Sequence, residues 1–260
     1  MASDNKFAVL IDADNVSDKY IKTILDEISN DGIATYKRIY GDWTKPALSS
    51  WKSVLLDNSI LPIQQYNYTT GKNSTDSAMI IDAMDILYSN QVDGFCIVSS
   101  DSDFTRLAAR LRESGMLVVG MGERKTPKSF ISACNRFKYL DILSVADQEP
   151  VKPAPTAQDR PKSEAKLKQL PNGEPEAKEM TDLETIRSAI RMIALENSDE
   201  DDWMFIGTIG NLLVKRYPDF DVRNFGFNKL TPFIESLDVF DIKSVRTRDT
   251  NVKLIYVKTK

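Results

Sequence analysis

Acidic side chains directly follow two apolar runs of the sequence. The first run, residues 7–11, ends in Asp12, and the second, residues 94–98, leads into Asp101 and Asp103. Unbroken apolar runs of this length are typical of strands in parallel sheets that helices cover on both faces. Ligands of such sheets bind beyond the carboxyl ends of the strands. The spacing therefore predicts that these acids meet in one crevice, together with Asn15.

A further acid, Asp76, lies near the start of a predicted helix that precedes the second run. Carboxylates packed together repel one another, and a divalent cation relieves that repulsion. Ligand sets made only of oxygen suit Mg²⁺ or Mn²⁺, and such an ion assists phosphodiester hydrolysis. The predicted metal ligands are Asp12, Asp76, Asp101 and Asp103, and the predicted catalytic residues are these four with Asn15.

A structural role for the same acids is the simplest alternative. Asp and Ser often cap the helix that follows a strand, and this interpretation stays open for Asp14, Ser102 and Asp82. Asp82 lies six residues beyond Asp76 on the predicted helix, roughly on its reverse side, so it is at most an outer member of the cluster. For Asp12 and Asp101 together a cation is favoured, because a helix cap needs only one acid.

A basic loop follows the fifth predicted strand. Thr126 and Pro127 fit the N-cap and first position of a helix, and Arg124 and Lys125 flank that helix end. A helix N-terminus attracts phosphate groups, so this loop is a candidate phosphate site. The residues predicted to bind nucleic acid are Lys72, Arg106, Arg124, Lys125 and Thr126, with Arg110 and Lys128 as possible extensions along the backbone.

The elements that must position these residues alternate between strand and helix. This alternation predicts a Rossmann-like α/β fold, in which a parallel sheet of order 3-2-1-4-5 carries helices on both faces. We assign this domain to residues 1–146. Residues 147–180 contain six of the 11 prolines and few large apolar residues, which predicts a flexible linker. The apolar pattern of residues 181–260 predicts three helices and a β-hairpin, as in a small winged-helix α+β domain.

Composition excludes several classes of function. With no histidine, the chain cannot use imidazole as a base, nucleophile or metal ligand. A net charge of -4 is not that of a protein that coats nucleic acid by bulk attraction. We expect a cytoplasmic protein with two free thiols and no membrane role, because it has neither a signal-peptide pattern nor an apolar run long enough to span a bilayer.

Four blocks resemble the signature of the NYN domain, in its LabA-like branch. They are Leu10-Ile11-Asp12-Ala13-Asp14-Asn15, Gly71-Lys72-x-x-x-Asp76, Val98-Ser99-Ser100-Asp101-Ser102-Asp103-Phe104 and Gly122-Glu123-Arg124-Lys125-Thr126-Pro127. The resemblance covers about residues 6–143 and implies a PIN-like nuclease fold with a Mg²⁺- or Mn²⁺-dependent ribonuclease site. The acidic site of the family then falls on Asp12, Asn15, Asp76, Asp101 and Asp103, with RNA as the partner.

Residues 217–230 are similar to the OST-HTH, or LOTUS, domain, a winged helix linked to RNA binding and to protein contacts. The basic residues of this region are offset by Asp219, Asp221 and other acids, so the sequence leaves RNA or a protein as its partner. We predict that Phe220, Phe225 and Phe227 belong to its core rather than to a platform for stacking bases.

Three functions remain open from the sequence. The first is a metal-dependent ribonuclease whose C-terminal region recruits RNA or a protein; endonucleolytic cleavage is favoured over exonucleolytic, and the sequence leaves both that choice and RNA versus DNA open. The second is a non-catalytic RNA-binding adaptor. The third is a phosphatase of the haloacid dehalogenase kind, since Asp12-x-Asp14 fits its opening motif, although the helix predicted directly afterwards leaves no room for the usual hairpin. The oligomeric state stays open.

Overall fold

The computed structural model describes residues 5–66, 74–146, 180–246 and 253–260. Its main sheet has six strands in the order β3-β2-β1-β4-β5-β6, and every neighbouring pair is parallel. The predicted order is confirmed, and one further strand, β6, lies at the edge beyond β5. The strands are β1 Lys6–Asp12, β2 Ile33–Gly41, β3 Leu61–Gln64, β4 Gly94–Val98, β5 Leu117–Gly122 and β6 Arg136–Tyr139.

Helices cover both faces of this sheet, which explains why β1 and β4 are apolar without alternation. Ala8 and Leu10 of β1 pack in the cluster that contains Met79, Leu107 and Phe130. The intervening residues of β1 face a second cluster on the opposite side of the sheet. The helices are α1 Ile21–Ser29, α2 Lys52–Asp57, α3 Ser74–Ser89, α4 Thr105–Glu113, α5 Lys128–Ala133 and α6 Leu140–Ala146.

The C-terminal part, residues 180–260, has its own core and a three-stranded antiparallel sheet in the order β7-β9-β8. Phe233 is buried at its centre, with ring centroids 5.8, 5.2 and 5.6 Å from Phe220, Phe225 and Phe227. These three aromatics therefore contribute to the core, as predicted. The elements are α7 Leu183–Asn197, β7 Met204–Phe205, α8 Ile206–Arg216, α9 Leu230–Ser236, β8 Phe240–Arg246 and β9 Lys253–Thr259.

The C-terminal part docks on the exposed edge of the main sheet. The backbone N–H of Phe137 in β6 donates to the carbonyl of Pro218 over 2.7 Å, so part of this strand edge is paired. Next to it the buried carboxylate of Asp219 accepts from the hydroxyl of Tyr139 (3.1 Å) and from the backbone N–H and hydroxyl of Thr181 (2.9 and 2.8 Å).

An ion pair between the two parts lies beside this contact. The guanidinium of Arg223 donates to both oxygens of Glu27 over 2.5 and 3.0 Å, and Lys138 lies 3.0 Å from the same carboxylate. Burial acts to raise the pKa of Glu27, but the hydrogen bond from Arg223 and the charge of Lys138 outweigh it, so the pKa lies below its ordinary range. Glu27 is therefore ionised at neutral pH and holds α1 to the C-terminal part.

The predicted linker, residues 147–180, falls outside the described residues except for Met180, and Lys72 lies outside them as well. Across the described part of the chain, none of the helices has both the length and the hydrophobicity that crossing a bilayer requires.

We predict that Glu27→Gln destabilises the protein by about 1–3 kcal/mol, less than a fully buried pair because Arg223 is partly exposed. The pKa of Glu27 is lowered by folding, so this contribution is present above about pH 5 and is lost as the pH falls through the folded value. Urea unfolding at pH 7 and pH 3.5 measures both effects. Glu184→Gln, which removes an exposed partner of Arg187, is the matched control. Equal loss in both variants would contradict the structural role of Glu27.

Candidate active site

Three carboxylates converge at the carboxyl edge of the sheet. Asp76, Asp101 and Asp103 each offer an oxygen, and these oxygens all lie within 4.8 Å of one another. Asp101 follows β4 and caps a short 3-10 turn, Ser102–Phe104, by accepting from the N–H of Asp103 over 2.9 Å. Asp76 belongs to the first turn of α3. The helix-capping alternative thus holds for Asp101, yet the capping carboxylate is also part of the cluster.

Asp12 is fully buried at the end of β1, close enough to Asp76 for its charge to act on that carboxyl. Its carboxylate accepts from the N–H of Asp14 (3.1 Å), from the side-chain amide of Asn15 (2.8 Å) and from the hydroxyl of Ser99 (2.8 Å). The same Ser99 hydroxyl accepts from the N–H of Asp101 over 3.0 Å. Ser99 therefore connects the ends of β1 and β4, which are neighbours in the sheet.

The pKa of Asp76 reflects both burial and repulsion from the neighbouring acids. Burial raises the pKa of Asp76 to about 6, with further contributions from the charges of Asp12, Asp101, Asp103 and Asp14. The pKa of Asp12 is also raised by burial, although the hydrogen bonds from Asn15, Ser99 and Asp14 act against that rise. An all-oxygen site with several negative charges fits a hard divalent cation such as Mg²⁺ or Mn²⁺.

The structure brings together three of the four predicted metal ligands and leaves Asp12 outside that group. Asn15 is oriented towards Asp12, so its amide positions an acid of the crevice. Asp82 lies elsewhere, hydrogen-bonded to Arg38 and Tyr40, in agreement with its expected place on the reverse side of α3.

Two residues near the crevice were not singled out from the sequence. Lys45, in the loop after β2, lies 3.1 Å from Asp14, whose other oxygen accepts from Thr75 over 3.1 Å. The other residue is Ser99, whose hydroxyl connects the carboxylate of Asp12 with the backbone of Asp101. Both residues follow the carboxyl end of a strand next to β1, and that position is the sequence signal that could have identified them.

The predicted phosphate loop is only partly available at the surface. Arg106, Arg124 and Lys125 are exposed, but Arg124 pairs with Asp141 (2.8 Å) and Lys125 with Glu123 (2.9 Å). Thr126 is buried, and its hydroxyl donates to the carbonyl of Glu123 over 2.6 Å, so its side chain cannot reach a surface ligand.

The capping prediction in this loop is wrong. Pro127, not Thr126, occupies the N-cap position, and α5 has 6 residues. Thr126 instead closes the tight turn that precedes the helix, because its hydroxyl and its N–H both donate to the carbonyl of Glu123. So short a helix has a weak dipole, and the positive charge of this region comes from its side chains.

Fold and site together define a Rossmann-like α/β protein with an acidic crevice suited to a divalent cation, joined to a small helical module with an antiparallel sheet. The chain belongs to the NYN domain family: it matches the NYN domain over residues 6–141 and the OST-HTH/LOTUS domain over residues 181–252. The NYN domain implies a nuclease-type fold, and the OST-HTH/LOTUS domain implies an RNA-binding module.

A crystal structure of a protein of unknown function from Vibrio parahaemolyticus is similar to this chain, with 18% sequence identity and a TM-score of 0.44. The similarity covers 54% of this chain and 94% of the other. No curated protein gives a significant match.

We predict that Asp76→Asn stabilises the protein in the absence of divalent ions by about 1–2 kcal/mol at pH 7.5. Its folded pKa of about 6 is raised, so the ionised group destabilises the fold above that pH, and stability rises as the pH falls from 7 towards 5. The advantage of the variant should therefore vanish below about pH 4. Urea unfolding in EDTA measures this.

The matched control is Asp85→Asn, an exposed acid on the same helix. If it gains as much stability as Asp76→Asn, then burial of Asp76 and repulsion within the cluster are not the cause. Mn²⁺ should stabilise the parent protein and Asp85→Asn, and should stabilise Asp76→Asn much less.

We also predict that Ser99→Ala weakens Mn²⁺ binding by about 10-fold or more, the usual effect of removing a group that orients metal ligands. Isothermal titration with Mn²⁺ gives the affinity directly. Ser102→Ala is the control, because Ser102 is exposed and lies in the same loop. An unchanged affinity in Ser99→Ala would show that Ser99 does not position the acids.

Proposed function

We propose that this protein is a Mg²⁺- or Mn²⁺-dependent ribonuclease that hydrolyses RNA phosphodiester bonds at the acidic crevice. The observation that carries the proposal is the convergence of Asp76, Asp101 and Asp103 within 4.8 Å, at the carboxyl edge of a parallel sheet in an NYN domain. These three carboxylates would hold the ion. A divalent ion bound there would act as a Lewis acid and stabilise the negative charge that develops on the phosphodiester. It would also lower the pKa of a bound water molecule towards neutral pH.

The chain's own groups have a positioning and electrostatic task. Three hydrogen bonds fix the orientation of Asp12, so its negative charge stays directed at the crevice rather than rotating away. Arg106 offers positive charge for the phosphates of RNA, and Lys45, Arg124 and Lys125 do so where RNA displaces their acidic partners. The hydroxyl of Ser99 holds the carboxylate of Asp12 and the backbone N–H of Asp101 in fixed positions relative to each other.

We further propose endonucleolytic cleavage in the cytoplasm. Asp103 is exposed at the rim of the cluster, so an internal stretch of RNA can reach it without threading a free end into an enclosed cavity. Cys96 and Cys134 are buried free thiols, which fits a reducing compartment. The C-terminal part would recruit RNA, and a protein partner is the alternative for that surface.

We predict that the protein cleaves a circular single-stranded RNA in Mn²⁺ and that Asp101→Asn lowers the rate at least about 100-fold, as expected when a group that stabilises transition-state charge is lost. Asp85→Asn should retain the parental rate. Gel electrophoresis of the opened circle measures cleavage, and circular dichroism checks that each variant is folded.

Two results would contradict the proposal. Full activity in EDTA, or in a folded Asp101→Asn protein, would exclude this crevice as the site of cleavage. Tight RNA binding with no cleavage in Mg²⁺ or Mn²⁺ would instead indicate the non-catalytic adaptor.

A further inference from the structure

A cleft separates the N-terminal α/β part from the C-terminal part, at the end of the sheet opposite the acidic crevice. It has a volume of about 650 Å³, within the range of roughly 300–1,000 Å³ that is usual for ligand sites. The first residues of β5 and β6 form one wall, with the C-terminal end of α4, and α8 forms the other. The polar residues that matter are Arg112, Asn135, Arg136, Asn211, Lys215 and Arg216.

The charge of this cleft is opposite to that of the whole protein. Four of its lining residues are Lys or Arg and none is Asp or Glu, whereas the chain has a net charge of -4. Arg136 pairs with Asp31 over 2.5 Å, and Arg216 approaches Glu196 only to 3.9 Å. A concave surface with one sign of charge concentrates ligands of the other sign.

Two of these cations are not neutralised by an acid. Within the described ranges, neither Arg112 nor Lys215 forms an ion pair with a carboxylate. The guanidinium of Arg112 donates instead to the carbonyls of Ser132 (3.0 Å) and Cys134 (3.5 Å), which hold it in place and leave its full positive charge. Arg112 is thus held in place before any anion binds, which lowers the ordering cost of binding one.

The cleft exists because the two parts are docked. Arg112 and Arg136 belong to the N-terminal part, and Lys215 and Arg216 to α8. The contacts of Phe137 with Pro218 and of Glu27 with Arg223 keep the two walls together. Neither part alone presents the four cations, so the ligand must be recognised by the assembled chain.

The lining also indicates which part of a ligand is recognised. It contains no aromatic side chain on which a base could stack. Guanidinium, ammonium and amide groups instead match the phosphate oxygens of a nucleic-acid backbone. Contacts of this kind do not depend on sequence, and they weaken steeply with salt.

We propose that this cleft is a second RNA-binding site, which holds the phosphate backbone of a single-stranded RNA away from the point of cleavage. The proposal rests on the proposed ribonuclease function. A strand of 6 residues such as β5 spans about 20 Å, so the cleft and the acidic crevice are separated by at least that distance along the sheet. RNA long enough to contact both is held more tightly than a short one, because the second contact becomes intramolecular.

The test measures RNA binding in the absence of cleavage. A fluorescein-labelled single-stranded RNA of 20 nucleotides is titrated with full-length Asp101→Asn protein in EDTA, and anisotropy is followed from about 50 to 200 mM salt. Arg112→Gln with Lys215→Gln, in the same background, should weaken binding about 10- to 30-fold at 0.1 M salt. It should also reduce the salt slope by about 1.4, since each phosphate contact on a single strand contributes about 0.7.

The control is Lys229→Gln with Lys253→Gln, which removes the same charge from exposed residues of the C-terminal part outside the cleft. Thermal unfolding checks that both double variants are folded at the temperature of the binding assay. Equal affinity and slope in the parent and the cleft variant would overturn the proposal, as would an equal loss in the control.

Competition experiments separate RNA from other anions. Unlabelled RNA should displace the probe, whereas inorganic phosphate and poly-glutamate should do so only at concentrations that act through ionic strength. Displacement by poly-glutamate as effective as by RNA would assign the cleft to an acidic protein and overturn the proposal. The binding assay contains no divalent ion and therefore does not depend on cleavage. A negative result in the ribonuclease assay would leave the binding result valid, so the two proposals can be contradicted independently.

Discussion

The parallel pairing of β1 with β4 is the constraint on which the candidate site depends. It places Ile11 beside Val98, so the residues that follow each strand emerge side by side although they are far apart in the chain. One hydroxyl, that of Ser99, then serves both Asp12 and the backbone of Asp101. Negative charge is concentrated at this edge, and ionised carboxylates that are close together and partly buried destabilise the fold. Burial and the neighbouring charges raise the pKa of Asp76 for this reason, and a cation would relieve the repulsion.

The end of the sheet opposite the acidic crevice has the opposite electrostatic character. There the first residues of β5 and β6 and helix α8 of the docked C-terminal part bring together cations of both parts. The molecule thus has an acidic crevice suited to a metal ion and a basic cleft suited to a polyanion, at the two ends of the strands of one sheet. A net charge of -4 is compatible with the proposed RNA binding, because the positive charge is local rather than overall.

Docking of the two parts relies on polar groups that are buried and fully paired. Asp219 has three donors, and Glu27 has Arg223 and Lys138 as partners. The buried polar groups of the described residues are likewise all hydrogen-bonded. Polar contacts of this kind set the relative orientation of two surfaces more strictly than apolar packing does, because an unpaired buried charge is costly.

Sequence patterns predicted the strand order of the sheet, since strands that alternate with helices are typical of a Rossmann-like fold. Apolar runs with acidic ends indicated burial on both faces and the position of the carboxyl edge. They missed β6, because four residues that alternate between Arg or Lys and aromatic side chains are too few to distinguish an edge strand from a loop. They assigned Thr126 to a helix cap because local propensity favours it there, whereas the structure uses its hydroxyl to close a turn.

By itself the sequence determined the acids of the crevice and the two families of module, because residue types and short-range spacing carry that information. The tertiary structure alone decided that Asp12 is fully buried, that Ser99 joins two strand ends, and that Arg223 pairs with Glu27 across 196 positions. These are contacts between residues distant in sequence, and only the packing of the folded chain fixes which distant side chains meet.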